Sequence, residues 1–284
     1  MIPAKFDYVR PGSLDEAVSA LAGGGDDAKV IAGGQSLLPL LRLRLAYPEL
    51  LVDVGGLDEL RGVTDAGDAL VIGARTTLYD LVRDPLVAEH AGIFAQTASV
   101  VADPAVRHRA TLGGALAHAD PAGDLPAVAL ALDAALVVRG PGGEREIPAA
   151  DFFVDYLTTS LAPDEILTAV RVPKLGPGWG YRYEKFHRVA QSWAIVGVAT
   201  AVRRDNGSIA EARVALTNMG ATPVRAVGVE EALAGASLDA ISAASERAAE
   251  GASPPSDLNG KADYREHLAR VLTRRAVTAA AGGS

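Results

Sequence analysis

Two loops with paired glycines constrain this chain more than any other feature of its sequence. The first glycine loop contains Ala32, Gly33, Gly34, Gln35 and Ser36, and the second contains Thr111, Leu112, Gly113 and Gly114. Adjacent glycines let a backbone approach a ligand closely and turn consecutive amides toward an anion such as a pyrophosphate. A glycine pair is also common in tight turns, so the pairs alone leave a nucleotide site and two ordinary turns both open.

The pattern around the first glycine loop predicts a small β-α-β unit. Ser13 and Glu16 have the spacing of a capping box, which favours a helix that begins at Leu14. The pattern then predicts a strand over 28–32, a helix over 37–47 and a strand over 50–54. We therefore expect the loop to connect a strand to the N-terminus of a helix, where negative charge is favoured.

The turn-rich segment from Leu175 to Gly178 is the best candidate for a domain boundary. It separates residues 1–174, with subdomains of about 1–55 and 56–174, from residues 179–284. Before it, the pattern predicts a hairpin over 60–74, helices over 77–83 and 86–102, and a strand over 166–172. After it, the pattern predicts a three-stranded meander over 181–189, 194–203 and 208–218, then helical segments that end with 262–280.

The composition excludes several classes of function. The 284 residues carry a formal net charge of −8 and contain no basic block, which argues against a nucleic-acid-binding protein. There is no cysteine, so this chain cannot hold an iron–sulfur cluster, a disulfide or a thiolate nucleophile. No stretch reaches the ~20 apolar residues of a membrane span and no secretory signal is visible, so we expect a soluble, cytoplasmic protein.

A short polar segment follows the second glycine loop and contains His118, Asp120 and Asp124. Carboxylates in this place suit the neutral hydroxyls of a sugar or ribityl chain better than a phosphate, which they would repel. The same three residues could instead ligate a metal in a hydrolase, although no second cluster supplies further ligands. The basic run from Arg107 to Arg109 could neutralise a phosphate or form a solvated loop.

Taken together, these segments resemble a known family, the FAD-binding medium subunits of molybdenum hydroxylases, which include relatives of carbon monoxide dehydrogenase and xanthine dehydrogenase. The first glycine loop with Leu37, Pro39 and Leu40 resembles the first FAD loop of the family, and the second loop with residues 117–126 resembles the second. Further matches lie in residues 51–54, 72–76 and 164–167. The resemblance extends from about Phe6 to Arg203.

The resemblance implies roles for individual residues. Both glycine loops would wrap the diphosphate of FAD, and His118, Asp120 and Asp124 would lie near its ribityl or pyrophosphate portion. The remaining family contacts are the apolar Ile166 and Leu167 near the adenine or flavin, Lys185 near the isoalloxazine, and Trp193, which would cover a flavin face or else be a core tryptophan. Three positions depart from the usual pattern, namely Ala110, Ala115 and Ser192, and they put the fine placement of the flavin in question.

The resemblance also implies an α+β fold and an assembly. The fold would be a two-subdomain FAD-binding domain of the vanillyl-alcohol-oxidase type, followed by a small domain of three strands and helices. The partners would be a small subunit with two [2Fe–2S] clusters and a large molybdopterin subunit, as a dimer of heterotrimers. Electrons would reach FAD from the clusters and leave to NAD, a quinone or oxygen, without a general acid or base in this chain.

Three other functions stay open from the sequence. A stand-alone FAD oxidoreductase would use the same glycine loops without partners. A metal-dependent hydrolase would use His118, Asp120 and Asp124. An interaction protein with degenerate loops would explain Ala110 and Ala115, which remove small or polar residues from the second loop.

Overall fold

The computed structural model describes residues 2–282. The N-terminal unit contains strands β1 (Asp7–Val9), β2 (Ala28–Ile31) and β3 (Leu50–Asp53) and helices α1 (Leu14–Gly24) and α2 (Leu37–Leu43). Its sheet is parallel in the order β1-β3-β2. Helix α2 is shorter than predicted, because Arg44 adopts the left-handed conformation at φ 57° and ends it.

The predicted capping box is present in a shifted form. The Ser13 hydroxyl accepts a hydrogen bond from the Glu16 amide at 3.3 Å. The Glu16 carboxylate accepts from the amide of Gly12 at 2.7 Å, one residue before the usual partner. These two hydrogen bonds satisfy the amides of Gly12 and Glu16, and Ala17, Val18 and Leu21 form the buried face of α1.

A five-stranded antiparallel sheet forms the middle of the molecule, in the order β4-β5-β10-β6-β7. Its strands are β4 (Val63–Asp65), β5 (Ala69–Gly73), β6 (Ala135–Gly140), β7 (Gly143–Pro148) and, after the short hairpin β8 (Phe153–Asp155) and β9 (Thr158–Thr159), β10 (Ile166–Pro173). Seven helices accompany it: α3 (Leu78–Arg83), α4 (Pro85–His90), α5 (Gly92–Ser99), α6 (Pro104–Arg107), α7 (Leu112–His118), α8 (Asp124–Ala131) and α9 (Ala149–Phe152). The helix predicted over 86–102 is two helices, because Ala91 leaves helical geometry at φ −146°.

The C-terminal part is an antiparallel sheet covered by helices. The strands are β11 (Trp179–Phe186), β12 (Val196–Asp205), β13 (Ser208–Thr217) and β14 (Val224–Arg225), and the helices are α10 (Val227–Leu233), α11 (Ile241–Ser245) and α12 (Ala262–Ala280). The prediction of three strands is wrong by one, because β14 pairs with β13 through Val224 and Arg225. Two residues are too few to leave an alternating pattern in the sequence.

Helix α8 lies at the centre of the molecule and connects its layers. All eight of its residues are buried, including the charged Asp124 at its first position. The core around α8 combines apolar residues of the middle sheet with Tyr183, Ala199 and Ala215 of the C-terminal sheet. The packing therefore fixes Asp124 between two sheets. Asp124 is also close in sequence to the second glycine loop, because α8 is the next helix after α7.

Candidate functional site

The two glycine loops meet in a single cleft of about 580 Å³. A Cβ on Gly33 would lie 2.0 Å from the carbonyl oxygen of Arg109, so only glycine lets the first loop pack against the segment that leads into the second. All predicted site residues line this cleft except Leu112, namely Ala32, Gly33, Gly34, Gln35, Ser36, Leu37, Thr111, Gly113, Gly114, His118, Asp120, Asp124, Ile166, Leu167, Lys185 and Trp193. Leu112 is fully buried in the core and does not reach the cleft.

The first glycine loop supplies free backbone donors. Within residues 2–282, the amides of 33–37 have no hydrogen-bond partner. Gly34 adopts a φ of 74°, a conformation that favours glycine, and its carbonyl accepts from the Leu38 amide at 3.0 Å to begin α2. A run of unpaired amides on a cleft wall is suited to an anion such as a diphosphate.

The second glycine loop works differently from the sequence prediction. The amides of Leu112 and Gly113 donate to the carbonyls of Thr76 and Ala74 at 3.0 and 2.8 Å, and the amide of Gly114 donates to Thr111 Oγ1 at 3.1 Å. The prediction that consecutive amides of this loop point at an anion is therefore wrong. Since Thr111 Oγ1 accepts from Gly114, its proton is free to donate into the cleft.

Glycine is required in the second loop for packing. A Cβ on Gly113 would lie 2.4 Å from the Cβ of Ala74, so this glycine lets α7 begin against the end of β5. A Cβ on Gly114 would meet only Thr111 Oγ1, at 2.8 Å. Gly114 is thus the position of this loop where an added side chain would extend toward the cleft.

A buried ion pair forms part of the cleft wall. Lys185 Nζ lies 2.8 Å from Asp124 Oδ2, and both side chains are less than 5 % exposed. The Tyr183 hydroxyl donates to the other carboxylate oxygen, Oδ1, at 2.6 Å. Burial raises the pKa of the Asp124 carboxyl and Lys185 acts against that rise. Burial, together with the Asp124 charge, holds the pKa of Tyr183 well above its usual range.

His118 and Asp120 stand beside this pair without joining it. His118 Nε2 is 3.9 Å from Asp120 Oδ2, and Asp120 Oδ1 accepts from the Ala122 amide at 2.9 Å. Burial lowers the pKa of His118, and Asp120 partly opposes this effect. Because Asp124 is held by Tyr183 and Lys185, and no group of three potential His, Cys, Asp or Glu ligands occurs in residues 2–282, the geometry does not support the hydrolase alternative.

Another part of the cleft lining is apolar, and the lining also includes a half-exposed tryptophan. Ile166 and Leu167 at the start of β10 are buried there. Trp193 is 52 % exposed and its ring lies 6.4 Å from that of His118, so it is not a core tryptophan. The wall also contains residues that the sequence prediction missed, among them Val101, Ala102, Leu161 and Gln191.

The missed residues had no sequence signal. Ala102 has a φ of 46°, which is unusual for a residue with a Cβ, and the Arg107 guanidinium donates to the carbonyls of Val101 and Ala102 at 2.9 and 3.0 Å. Arg107 therefore fixes this segment and does not line the cleft. Gln191 donates to Asp103 and connects the segment after β11 with the one before α6.

The donor set fits the dinucleotide that the resemblance implies. Free amides and the Thr111 hydroxyl suit a diphosphate, polar side chains from His118 to Asp124 suit sugar or ribityl hydroxyls, and the apolar wall with Trp193 suits a planar ring system. The volume lies within the range of roughly 300–1,000 Å³ that is typical of cofactor sites. Ala110, Ala115 and Ser192, the three departures from the family pattern, all lie on the cleft.

Comparison with known proteins identifies the family. Residues 4–175 match the family described as "FAD binding domain in molybdopterin dehydrogenase", and residues 181–280 match "CO dehydrogenase flavoprotein C-terminal domain". The carbon monoxide dehydrogenase medium chain of Hydrogenophaga pseudoflava is 40% identical over 99% of this chain and 98% of its own length.

Solved structures give the same result. A carbon monoxide dehydrogenase from Hydrogenophaga pseudoflava has a TM-score of 0.96 and 42% identity, and covers 99% of this chain and 98% of that one. Quinoline 2-oxidoreductase from Pseudomonas putida 86 has a TM-score of 0.94 and 35% identity, and covers 99% of both chains. These matches confirm the expected two-part flavoprotein fold. The chain therefore belongs to the FAD-binding medium subunits of the molybdenum hydroxylase family of oxidoreductases, and FAD is its cofactor.

Proposed function

We propose that this chain is the electron-transfer subunit of its complex. It accepts electrons from [2Fe–2S] clusters on a small partner subunit and passes them through FAD to an external acceptor, while a large molybdopterin subunit oxidises the substrate. The observation that carries the proposal is the cleft, which is lined by residues with free amides and by apolar residues, and in which the buried carboxylate and ammonium are already paired with each other. Because the chain has no cysteine, the clusters must be held by another chain.

The assembly and its location are proposed on the same basis. We expect a dimer of heterotrimers in the cytoplasm, with NAD or a quinone as the acceptor. The relatives are named for carbon monoxide dehydrogenase, nicotine 6-hydroxylase and caffeine dehydrogenase, so the choice of substrate varies while the medium chain stays similar. The residues that choose the substrate would therefore lie on the large subunit. We place the domain boundary of this chain between residues 174 and 179.

Different residues of the cleft bind different parts of FAD. The amides of 33–37 and the Thr111 hydroxyl bind the diphosphate, and His118, Asp120 and Asp124 orient the ribityl or ribose hydroxyls. Ile166 and Leu167 exclude water from the ring systems. Lys185 and Trp193 face the isoalloxazine. Bound FAD supplies the redox chemistry, and the protein supplies binding, orientation and electrostatics.

A charge placed in the second glycine loop tests this assignment. We expect Gly114→Asp to remove FAD from the purified complex, because a carboxylate at this position would repel the diphosphate. Gly114→Ala is the matched control, since its Cβ makes the same contact with Thr111 Oγ1 without a charge, and it should retain more flavin. Visible absorbance per complex measures the outcome, and a melting temperature shows that the chain is folded. Equal flavin content in the two variants would overturn the placement of the diphosphate.

A further inference from the structure

Asp124 has two separate hydrogen-bond donors, one for each carboxylate oxygen. Lys185 Nζ binds Oδ2 at 2.8 Å and also lies 3.3 Å from the carbonyl oxygen of Val100. The Tyr183 hydroxyl binds Oδ1 at 2.6 Å. Only Asp124 and Lys185 line the cleft, whereas Tyr183 approaches the carboxylate from the core behind it. Tyr183 therefore influences the cleft through Asp124.

The position of the Tyr183 hydroxyl is fixed by its surroundings. Tyr183 lies on β11, where its amide donates to Gln96 Oε1 at 2.7 Å. A Cβ on Gly197, in the adjacent strand β12, would lie 2.4 Å from the Tyr183 hydroxyl oxygen. Thr217 Oγ1 lies 3.5 Å from the same hydroxyl oxygen. Glycine at 197 thus leaves the space that the hydroxyl occupies.

The charges of Asp124 and Lys185 on the cleft wall act strongly on each other. The side chains of Asp124 and Lys185 are 3 % and 4 % exposed, so water screens their fields poorly. Lys185 is the positively charged group in contact with the Asp124 carboxylate. A hydroxyl that donates to an ionised carboxylate places the positive end of its dipole there and reduces the negative field of the carboxylate.

We propose that Tyr183, in the space left by Gly197, is a positioning residue that holds the Asp124–Lys185 pair and so raises the reduction potential of the flavin. The proposal rests on the function proposed above, because it requires that the cleft hold the flavin beside Lys185. Tyr183 itself contacts neither the cleft nor its contents. Its influence is electrostatic and passes through one carboxylate.

The test is the midpoint potential of FAD in the purified complex. Tyr183→Phe removes only the hydroxyl, so the Asp124 carboxylate becomes more negative toward the cleft and the potential should shift to lower values. Tyr181→Phe is the matched control, because Tyr181 lies on the same strand and no hydrogen bond to its hydroxyl occurs in residues 2–282. Tyr181→Phe should leave the potential unchanged.

Two further variants separate an electrostatic role from a structural one. Gly197→Ala keeps the hydroxyl but displaces it, and should lower the potential in the same direction as Tyr183→Phe. In an Asp124→Asn background the carboxylate is absent, so adding Tyr183→Phe should cause a much smaller shift. A shift of equal size in both backgrounds, or no shift from Tyr183→Phe in the parent, would overturn the proposal.

The outcomes also distinguish this inference from the proposed function. A parent complex that carries FAD and transfers electrons, but whose potential is the same with Phe at 183, refutes only the role of Tyr183. A parent complex that cannot bind FAD refutes the placement of the flavin as well. Melting temperatures of Tyr183→Phe and Tyr181→Phe show whether either variant has lost its fold.

Discussion

At the scale of single residues, Gly33 shows how a small side chain joins two distant loops. Its Cα hydrogen occupies the space where a Cβ would lie 2.0 Å from the carbonyl oxygen of Arg109. Backbone atoms cannot move aside as the end of a flexible side chain can. The close approach of the two loops, and with it the shape of the phosphate end of the cleft, depends on this one position.

We therefore expect Gly33→Ala to separate the loops and to lower FAD content, with a loss of about 1–3 kcal/mol in the free energy of unfolding. Urea unfolding of the full chain and the absorbance of the complex measure the two effects. Gly23→Ala is the control, because a Cβ at Gly23 meets nothing within 4 Å and alanine favours the helix in which it lies. If both substitutions had the same effect, the contact with Arg109 would not be responsible.

Thr111 gives a second prediction at this scale. Its Oγ1 accepts from the Gly114 amide at 3.1 Å and caps α7, and its proton can donate to a phosphate. Thr111→Val should cost about 1 kcal/mol of stability through the lost cap, and should also weaken FAD retention. Thr111→Ser keeps the hydroxyl and should preserve both properties. Urea unfolding and flavin content compare the two variants, and a serine variant as weak as the valine variant would contradict a role for the hydroxyl.

Which residues line the cleft was largely predictable, and what they do there was less so. The glycine loops could be found because they combine adjacent glycines with polar side chains. The His118–Asp124 segment could be found because it places a histidine and two aspartates close together in the sequence. The internal bonding of the second loop could not be found, since its partners Ala74 and Thr76 lie some forty residues earlier. The motif alone assigns Leu112 to the site, but its side chain is buried in the core.

At the scale of elements, an ion pair connects β7, at the edge of the middle sheet, with the residue before β10, the central strand of that sheet. The Arg145 guanidinium of β7 binds both oxygens of Glu165, just before β10, at 2.7 Å, and Glu165 Oε2 also accepts from the Ala162 amide at 2.9 Å. The hydrogen bond from Arg145 holds the pKa of Glu165 below its usual value. Glu165 also lines the cleft, so this tie fixes the wall at the start of β10.

The lowered pKa makes this tie dependent on pH. A carboxyl whose pKa is depressed in the folded state adds stability above its unfolded value, about 4.3 for glutamate, and loses that contribution as the pH falls toward the folded value. Arg145→Met should therefore be less stable than the parent at neutral pH, and the difference should shrink as the pH falls below that range. Urea unfolding of the full chain at several pH values measures it.

The control for this prediction is Arg139→Met. Arg139 pairs at 3.1 Å with Asp15, whose side chain is 82 % exposed, and exposed pairs contribute little to stability. Arg139→Met should therefore change the free energy of unfolding only slightly at every pH. A difference between Arg145→Met and the parent that stayed constant as the pH fell would show that Glu165 is not the titrating group.

The elements themselves were predictable where their pattern is local. Helix α1 begins and ends as its capping box and glycines indicate, and α12 covers the residues predicted for it. Strand β14 and the hairpin of β8 and β9 contain two or three residues each, and they form because a neighbouring strand or loop offers free backbone groups. Such partners are set by tertiary packing, which short segments of sequence do not encode.

At the scale of the whole molecule, the proposed function gives this chain the redox cofactor and gives another subunit the oxidation of the substrate. Across residues 2–282, no helix combines the length and the apolar character needed to cross a membrane. We expect the purified full chain, supplied with FAD, not to oxidise carbon monoxide, aldehydes or N-heterocycles, and the complex with its partner subunits to oxidise one of these classes. Oxidation by the chain alone at the rate of the complex would instead indicate a stand-alone FAD oxidoreductase.

The central claim is that the cleft holds FAD and that electrons pass through it. The most direct measurement is the visible absorbance of the purified complex, before and after its substrate is added without an acceptor. The account predicts flavin absorbance in the parent complex that bleaches with substrate and returns when an acceptor is added, and no flavin absorbance with Gly114→Asp. A parent complex without flavin absorbance, even after FAD is added and the excess removed, would contradict it.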